Sequence, residues 1–146
     1  MSLFEKILVP LDGSEHSVHA LEKAVQIAKK FDGKITLIHV HPGHPIVIPA
    51  PVAYLAAFPK LVEAAREAGA NILADAETKA KAEGVQVETL LREGHAVGEI
   101  LETCREGEID LIVLGARGLS TIKEILLGSV SHGVATHARC PVLVVK

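Results

Sequence analysis

Five short apolar runs alternate along the chain with longer stretches in which apolar residues return every three or four positions. The runs cover residues 7–11, 35–40, 85–91, 109–114 and 142–145, and their length and Val/Ile/Leu content predict strands. Between the first two, Val18, Leu21, Val25 and Ala28 form one stripe of a helix over 14–31. Asp12 or Ser14 can cap that helix, since Asp12-Gly13-Ser14-Glu15 has the form of a capping box, and Asp32-Gly33 stops it. A second helix is expected over 58–83, with Leu61, Ala65, Ala68 and Ile72 inward and Gly84 ending it. A third spans 96–106 and buries Val97, Ile100, Leu101 and Cys104; a fourth spans 129–138. Strands that alternate with helices imply an α/β fold of parallel strands joined by right-handed crossovers.

The same pattern separates edge from centre. Val85, Val87 and Thr89 alternate with Gln86 and Glu88, as on a half-exposed edge strand. The run 142–145 is apolar on both faces, and at an edge it would pair with a second copy, so a homodimer through the C-terminal strand is expected. Residues 41–59 hold five of the seven prolines and read as one long loop, of a length that is often functional.

Composition narrows the class. The 146 residues suit a single domain over 1–146, and 49% hydrophobic with 23% charged residues is an ordinary globular balance. Aromatics are only 3%, so aliphatic side chains must fill the interior, which favours helices layered on a sheet. The formal charge is −3 and no run of like charges occurs, which argues against nucleic acid and anionic membrane as partners. No signal peptide is recognisable, and the apolar stretch 46–58 is broken by Pro49 and Pro51, so a cytoplasmic protein is expected. Cys104 and Cys140 are not a CxxC pair and read as buried free thiols.

The stretch that carries chemistry follows the fourth strand. Leu114-Gly115-Ala116-Arg117-Gly118 is followed, nine residues after Gly118, by Gly128-Ser129-Val130-Ser131 at a helix start. Glycines let the backbone approach an anion closely, and a helix start offers unpaired N–H groups and the positive end of a dipole. The dipole supplies only about 0.3–1 kcal/mol per charge at an exposed end, so several N–H groups must act together. Ser129 and Ser131 hydroxyls can add hydrogen bonds. An ordinary turn with Ser129 as a plain cap accounts for the same residues. Arg117 reads either as a phosphate contact or as a solvated loop residue, and Asp12 as a ligand contact or a helix cap.

The spacing Gly115-x2-Gly118-x9-Gly128-Ser129 resembles the signature of the nucleotide-binding branch of the universal stress proteins. The likeness extends to Lys6-Ile7-Leu8-Val9-Pro10-Leu11-Asp12-Gly13-Ser14, to Leu37-Ile38-His39-Val40, and to Cys140-Pro141-Val142-Leu143-Val144-Val145. The resemblance implies a doubly wound five-stranded parallel sheet in the order 3-2-1-4-5, with helices on both faces and a ligand at the switch point between strands 1 and 4. It implies that Pro10, Asp12 and Val40 hold adenine and ribose, that Leu114 and Gly115 pack on the ribose side, and that Gly118, Gly128, Ser129 and Val130 cradle phosphate, with Ser131 as an extra contact. The expected ligand is ATP, ADP or AMP, with Mg²⁺ accompanying the nucleotide, in a stress-response module that works as a nucleotide-sensitive dimer.

Two alternatives belong to other classes: a slow Mg-dependent ATPase, and an interaction scaffold with no functional nucleotide site. The loop is not a Walker A motif, because no Gly-Lys-Ser/Thr stands five residues after the first glycine, and no catalytic residue is identifiable. A phospho-receiver on Asp12 needs an acidic pair where the chain has Pro10-Leu11. His39 and His41 fall on one side of a strand with His44 nearby, but without a Cys or carboxylate close in sequence a metal site is not expected. His132 and His137, five apart, are expected to face solvent.

Overall fold

The computed structural model describes residues 3–43, 52–118 and 127–146, with the side chains of 52–58 excluded. The chain runs β1 (Lys6–Pro10), α1 (Glu15–Phe31), β2 (Lys34–His41), α2 (Val52–Ala82), β3 (Gln86–Glu93), α3 (Ala96–Glu106), β4 (Leu111–Gly115), α4 (Ser129–His137) and β5 (Val142–Val145). Every neighbouring pair is parallel, and the order is β3-β2-β1-β4-β5. Ile7 at the centre lies opposite Ile35 on one side and Leu111 on the other.

Apolar runs without alternation produce this sheet because both of its faces are covered. Ile7, Val9, Leu37, Leu111 and Val113 pack against Leu21, Ala24 and Val25 of α1 and Leu73, Ala76 and Ala80 of α2. Leu8, Ile38, Ile112 and Leu114 pack on the opposite face against Ile100 and Cys104 of α3 and Val134 of α4. Each fully buried Val, Leu or Ile contributes about 1.5–3 kcal/mol relative to exposure, so the two central strands anchor the fold.

Local signals explain the helix ends. Ser14 is the N-cap of α1 and its hydroxyl accepts the Ser17 N–H at 3.2 Å, whereas Asp12 accepts the Ser14 N–H one turn earlier. Of the two candidate caps, Ser14 is therefore the one used. At the other end Asp32, not Gly33, takes the left-handed conformation with φ 56. Gly33 is needed for another reason: a Cβ there would collide with the Phe4 carbonyl oxygen.

The second helix departs most from expectation. It begins at Val52 and carries Pro59 inside it, so the irregular stretch is shorter than 41–59, and what it holds between 44 and 51 lies outside the described residues. Pro59 stands seven residues inside the helix, beyond the first turn in which proline is tolerated best. Leu61 is 51% exposed and Ala68 is also exposed; the inward stripe is Val62, Ala65, Gly69, Leu73, Ala76 and Ala80, with Ile72 half-buried against the same core as expected. The stripe is set by Gly69, where a Cβ would run into the His39 ring and meet Leu91 at 3.1 Å. The helix therefore lies close on the sheet at this point. The third helix matches its expected bounds and buries Ile100, Thr103 and Cys104, with Val97 and Leu101 half-buried.

Candidate functional site

The order of strands reverses between β1 and β4, and the crossovers leaving them go to opposite faces, so a crevice opens beyond their C-terminal ends. A cavity of about 320 Å³ occupies it, within the range of small-molecule sites. Pro10, Asp12, Val40, Leu114, Gly115, Gly118, Gly128, Ser129, Val130 and Ser131 all line it. Residues from four elements and two connections, up to 121 positions apart in the chain, are thus brought to one hollow.

One wall is apolar. Ile38 and Val40 lie two apart on β2 and so share a face, and Pro10, Leu114 and Ile100 of α3 complete the surface. Ile38, Ile100 and Ala96 were not singled out from sequence. The two-residue period that placed Val40 also points to Ile38, and the first turn of α3 supplies the others. Leu11 and Ser17 are further lining residues. Leu11 is fixed at both ends of its peptide, donating its N–H to Ile38 O at 2.8 Å while its carbonyl meets His39 Nδ1 at 2.7 Å. His39 thus has a structural post beneath α2, and among the described residues no group of three His, Cys, Asp or Glu could hold a metal ion. His132 and His137 are exposed on α4.

The opposite wall is built from backbone. The Gly128 N–H donates to Ala116 O at 2.7 Å, and the Ser131 hydroxyl donates to the same carbonyl at 2.5 Å. Ser131 Oγ also lies 3.1 Å from Gly128 O. These bonds pin the end of the loop to its beginning. They engage the Gly128 amide and the Ser131 hydroxyl within the protein, so neither proton is what the wall offers a ligand. What remains is the first turn of α4. Its N-cap Gly128 makes no side-chain cap, and the first helical bond runs from His132 N–H to Gly128 O at 2.9 Å. The N–H groups of Ser129, Val130 and Ser131 have no intrahelical acceptor, and they stand at the positive end of the helix dipole.

Asp12 joins the walls. Its Oδ1 accepts the Ser14 N–H at 2.9 Å, and its other oxygen lies so close to Gly118 that a Cβ there would strike it. Gly115 is equally constrained, since a Cβ would sit 2.7 Å from the His16 carbonyl carbon. Gly115 and Gly118 therefore answer to contacts that can be named, whereas a Cβ at Gly128 would come no closer than 3.4 Å to its neighbours. Arg117 also borders the cavity.

A family model described as the universal stress protein family matches residues 3–146. The chain belongs to this family. A curated relative, universal stress protein YxiE of Bacillus subtilis, is 37% identical over 99% of this chain and 100% of its own length. Among solved structures, universal stress protein UspA from Lactobacillus plantarum superposes with a TM-score of 0.88 at 26% identity, covering 100% of both chains. A universal stress protein solved in complex with cAMP is 32% identical, with a TM-score of 0.69 over 99% of this chain and 98% of that one. The doubly wound sheet of order 3-2-1-4-5 is thus shared with other universal stress proteins. Among the described residues, no helix is long and apolar enough to cross a membrane.

Proposed function

We propose that this universal stress protein binds an adenine nucleotide in the crevice between β1 and β4 and acts as a nucleotide-sensitive dimer in a stress response. The observation that carries the reading is the pairing of an apolar wall with the open first turn of α4 across one cavity. A flat base suits the wall of Pro10, Ile38, Val40 and Leu114, and a phosphate suits the N–H groups of Ser129, Val130 and Ser131. Asp12 lies beside Gly118, and its carboxylate would accept hydrogen bonds from the ribose hydroxyls. The cAMP complex of the 32%-identical universal stress protein supports an adenine nucleotide as the class. ATP, ADP and AMP share the groups that these walls would contact. Mg²⁺, if carried in with ATP, would be held by the nucleotide's phosphates, with Asp12 the acidic side chain of the lining.

Isothermal titration with ATP and AMP tests the proposal. Saturable heat with one site per chain is expected; no heat and no thermal stabilisation at millimolar-scale nucleotide would remove it. The dimer reading rests on β5, an edge strand whose Leu143 is 39% exposed. Sedimentation should show a dimer that Val144→Lys dissociates, and a wild-type chain that stays monomeric would refute it.

A further inference from the structure

The sulfurs of Cys104 and Cys140 lie 3.3 Å apart although 36 positions separate them in sequence, and no disulfide joins them. Cys104 is buried on the last turns of α3 and Cys140 is half-buried between α4 and β5, against the same apolar cluster. A disulfide has a sulfur–sulfur distance of about 2.05 Å, so closure needs a movement of only about 1.2 Å. We infer that Cys104 and Cys140 are an oxidation site, at which a small hydroperoxide joins them in an intrachain disulfide that staples α3 to the segment entering β5.

The step balances with hydrogen peroxide as oxidant. The thiolate of Cys140, the more accessible sulfur, attacks one peroxide oxygen; the O–O bond breaks, leaving a sulfenic acid and releasing hydroxide. The Cys104 thiolate then attacks that sulfur, forming the S–S bond and expelling the second hydroxide. The two thiol protons convert the hydroxides to water. Each sulfur loses one electron and the peroxide gains two. Burial, with the Cys104 sulfur and the Asp110 carboxylate adding to it, pushes the Cys140 thiol up to about 12, so only a small fraction is thiolate at neutral pH and the first step is slow.

The staple has a place to act. The N-terminal turns of α3 and α4 both line the cavity, through Ala96 and Ile100 on one and Ser129 to Ser131 on the other. Between them Gly133 packs against Val97, and a Cβ there would lie only 2.9 Å from Val97 Cγ2. A bond at the far ends would fix the two helices as a unit.

The test treats the folded full-length chain with hydrogen peroxide, alkylates it and digests it without reduction. The expected product is a chain lighter by two hydrogens that yields one peptide pair linked through both cysteines and reverts with dithiothreitol. Its thermal midpoint should rise by roughly 5–15 °C. Both changes should vanish in Cys140→Ala and, separately, in Cys104→Ala, so that poor folding of the buried variant leaves the half-buried one to decide. Sulfinic acid on unlinked peptides, cross-links between chains, or two thiols still open to alkylation after unfolding would overturn the inference. An oxidised chain with an unchanged midpoint would overturn the staple.

Discussion

Two cavities are of nearly equal size, about 320 Å³ beyond the C-terminal ends of the strands and about 310 Å³ running from the N-terminal ends of β1 and β2 along the face of β3, yet they are built on opposite principles. The lower one is lined by charge, with Lys6, Lys34, Glu88, Arg92 and Glu106 around it. Much of that charge is already used. Lys34 Nζ lies 2.8 Å from Glu88 Oε2, and the Thr36 hydroxyl donates to Glu88 Oε1 at 3.1 Å. Nearby, the Asp110 carboxylate accepts the N–H of Glu5 at 3.0 Å and of Lys6 at 3.2 Å. The upper one has little formal charge but presents a helix start without a cap, beside an apolar wall. Size and charge therefore do not single out a site. Backbone donors left without an internal acceptor at one helix start, facing an apolar wall, do.

The strongest way to break this contrast is to fill the upper cavity from its own backbone. In Gly118→Val the new Cβ meets Asp12 Oδ2, and the loop or the carboxylate must move. Nucleotide affinity should fall by roughly 100-fold, about 2.7 kcal/mol, while far-UV circular dichroism stays unchanged. Retained affinity would place the ligand elsewhere. A milder change tests the pinning of the loop. Ser131→Ala removes the hydroxyl held by Ala116 O, and should cost about 1 kcal/mol in urea unfolding together with a several-fold loss of nucleotide affinity. Stability lost without any change in affinity would separate the bond from the site.

At the lower end the same kind of substitution should do little. Lys34→Met breaks a half-exposed ion pair, so stability should move by less than about 1 kcal/mol and nucleotide titration should be indistinguishable from wild type. A weakened titration would mean that the two ends are coupled. The smallest effect concerns pH. The Lys34 ammonium, hydrogen-bonded to Glu88, holds that carboxyl below the usual carboxylate range. The unfolded chain therefore takes up this proton first as pH falls. The pair's contribution is present above the ordinary carboxylate value and is lost as pH drops through the lowered one. Urea unfolding at neutral pH and near pH 3 should show slightly less acid-dependent loss in Glu88→Gln than in wild type. An equal loss would leave Glu88 without a part in acid sensitivity.

The contrast also marks what could be seen in the amino-acid order. The central strands were legible because Ile7, Leu8 and Val9 are apolar on both faces, a pattern that two covered faces demand. The cavity residues were legible because glycines clustered at 115, 118 and 128 before a helix start without a side-chain cap are costly unless something uses the space. Less could be read where a contact depends on a distant side chain. Leu61 has the periodicity of a core position, but Gly69 against His39 fixes how α2 turns and leaves Leu61 outside. That Ser131 gives its hydroxyl to Ala116, and that Gly128 gives its amide there, follows from the closure of a loop whose ends are not adjacent in sequence. Nor does the spacing of Cys104 and Cys140 show that their sulfurs touch.

The central claim is that the open amides at the start of α4 take the phosphate of an adenine nucleotide. Titrating AMP into ¹⁵N-labelled protein tests it most directly. The account predicts that the amide resonances of Ser129, Val130 and Ser131 shift most, with Gly118 following and the residues around Lys34 and Glu88 unmoved. Shifts centred on the lower end, or none at saturating AMP, would contradict it.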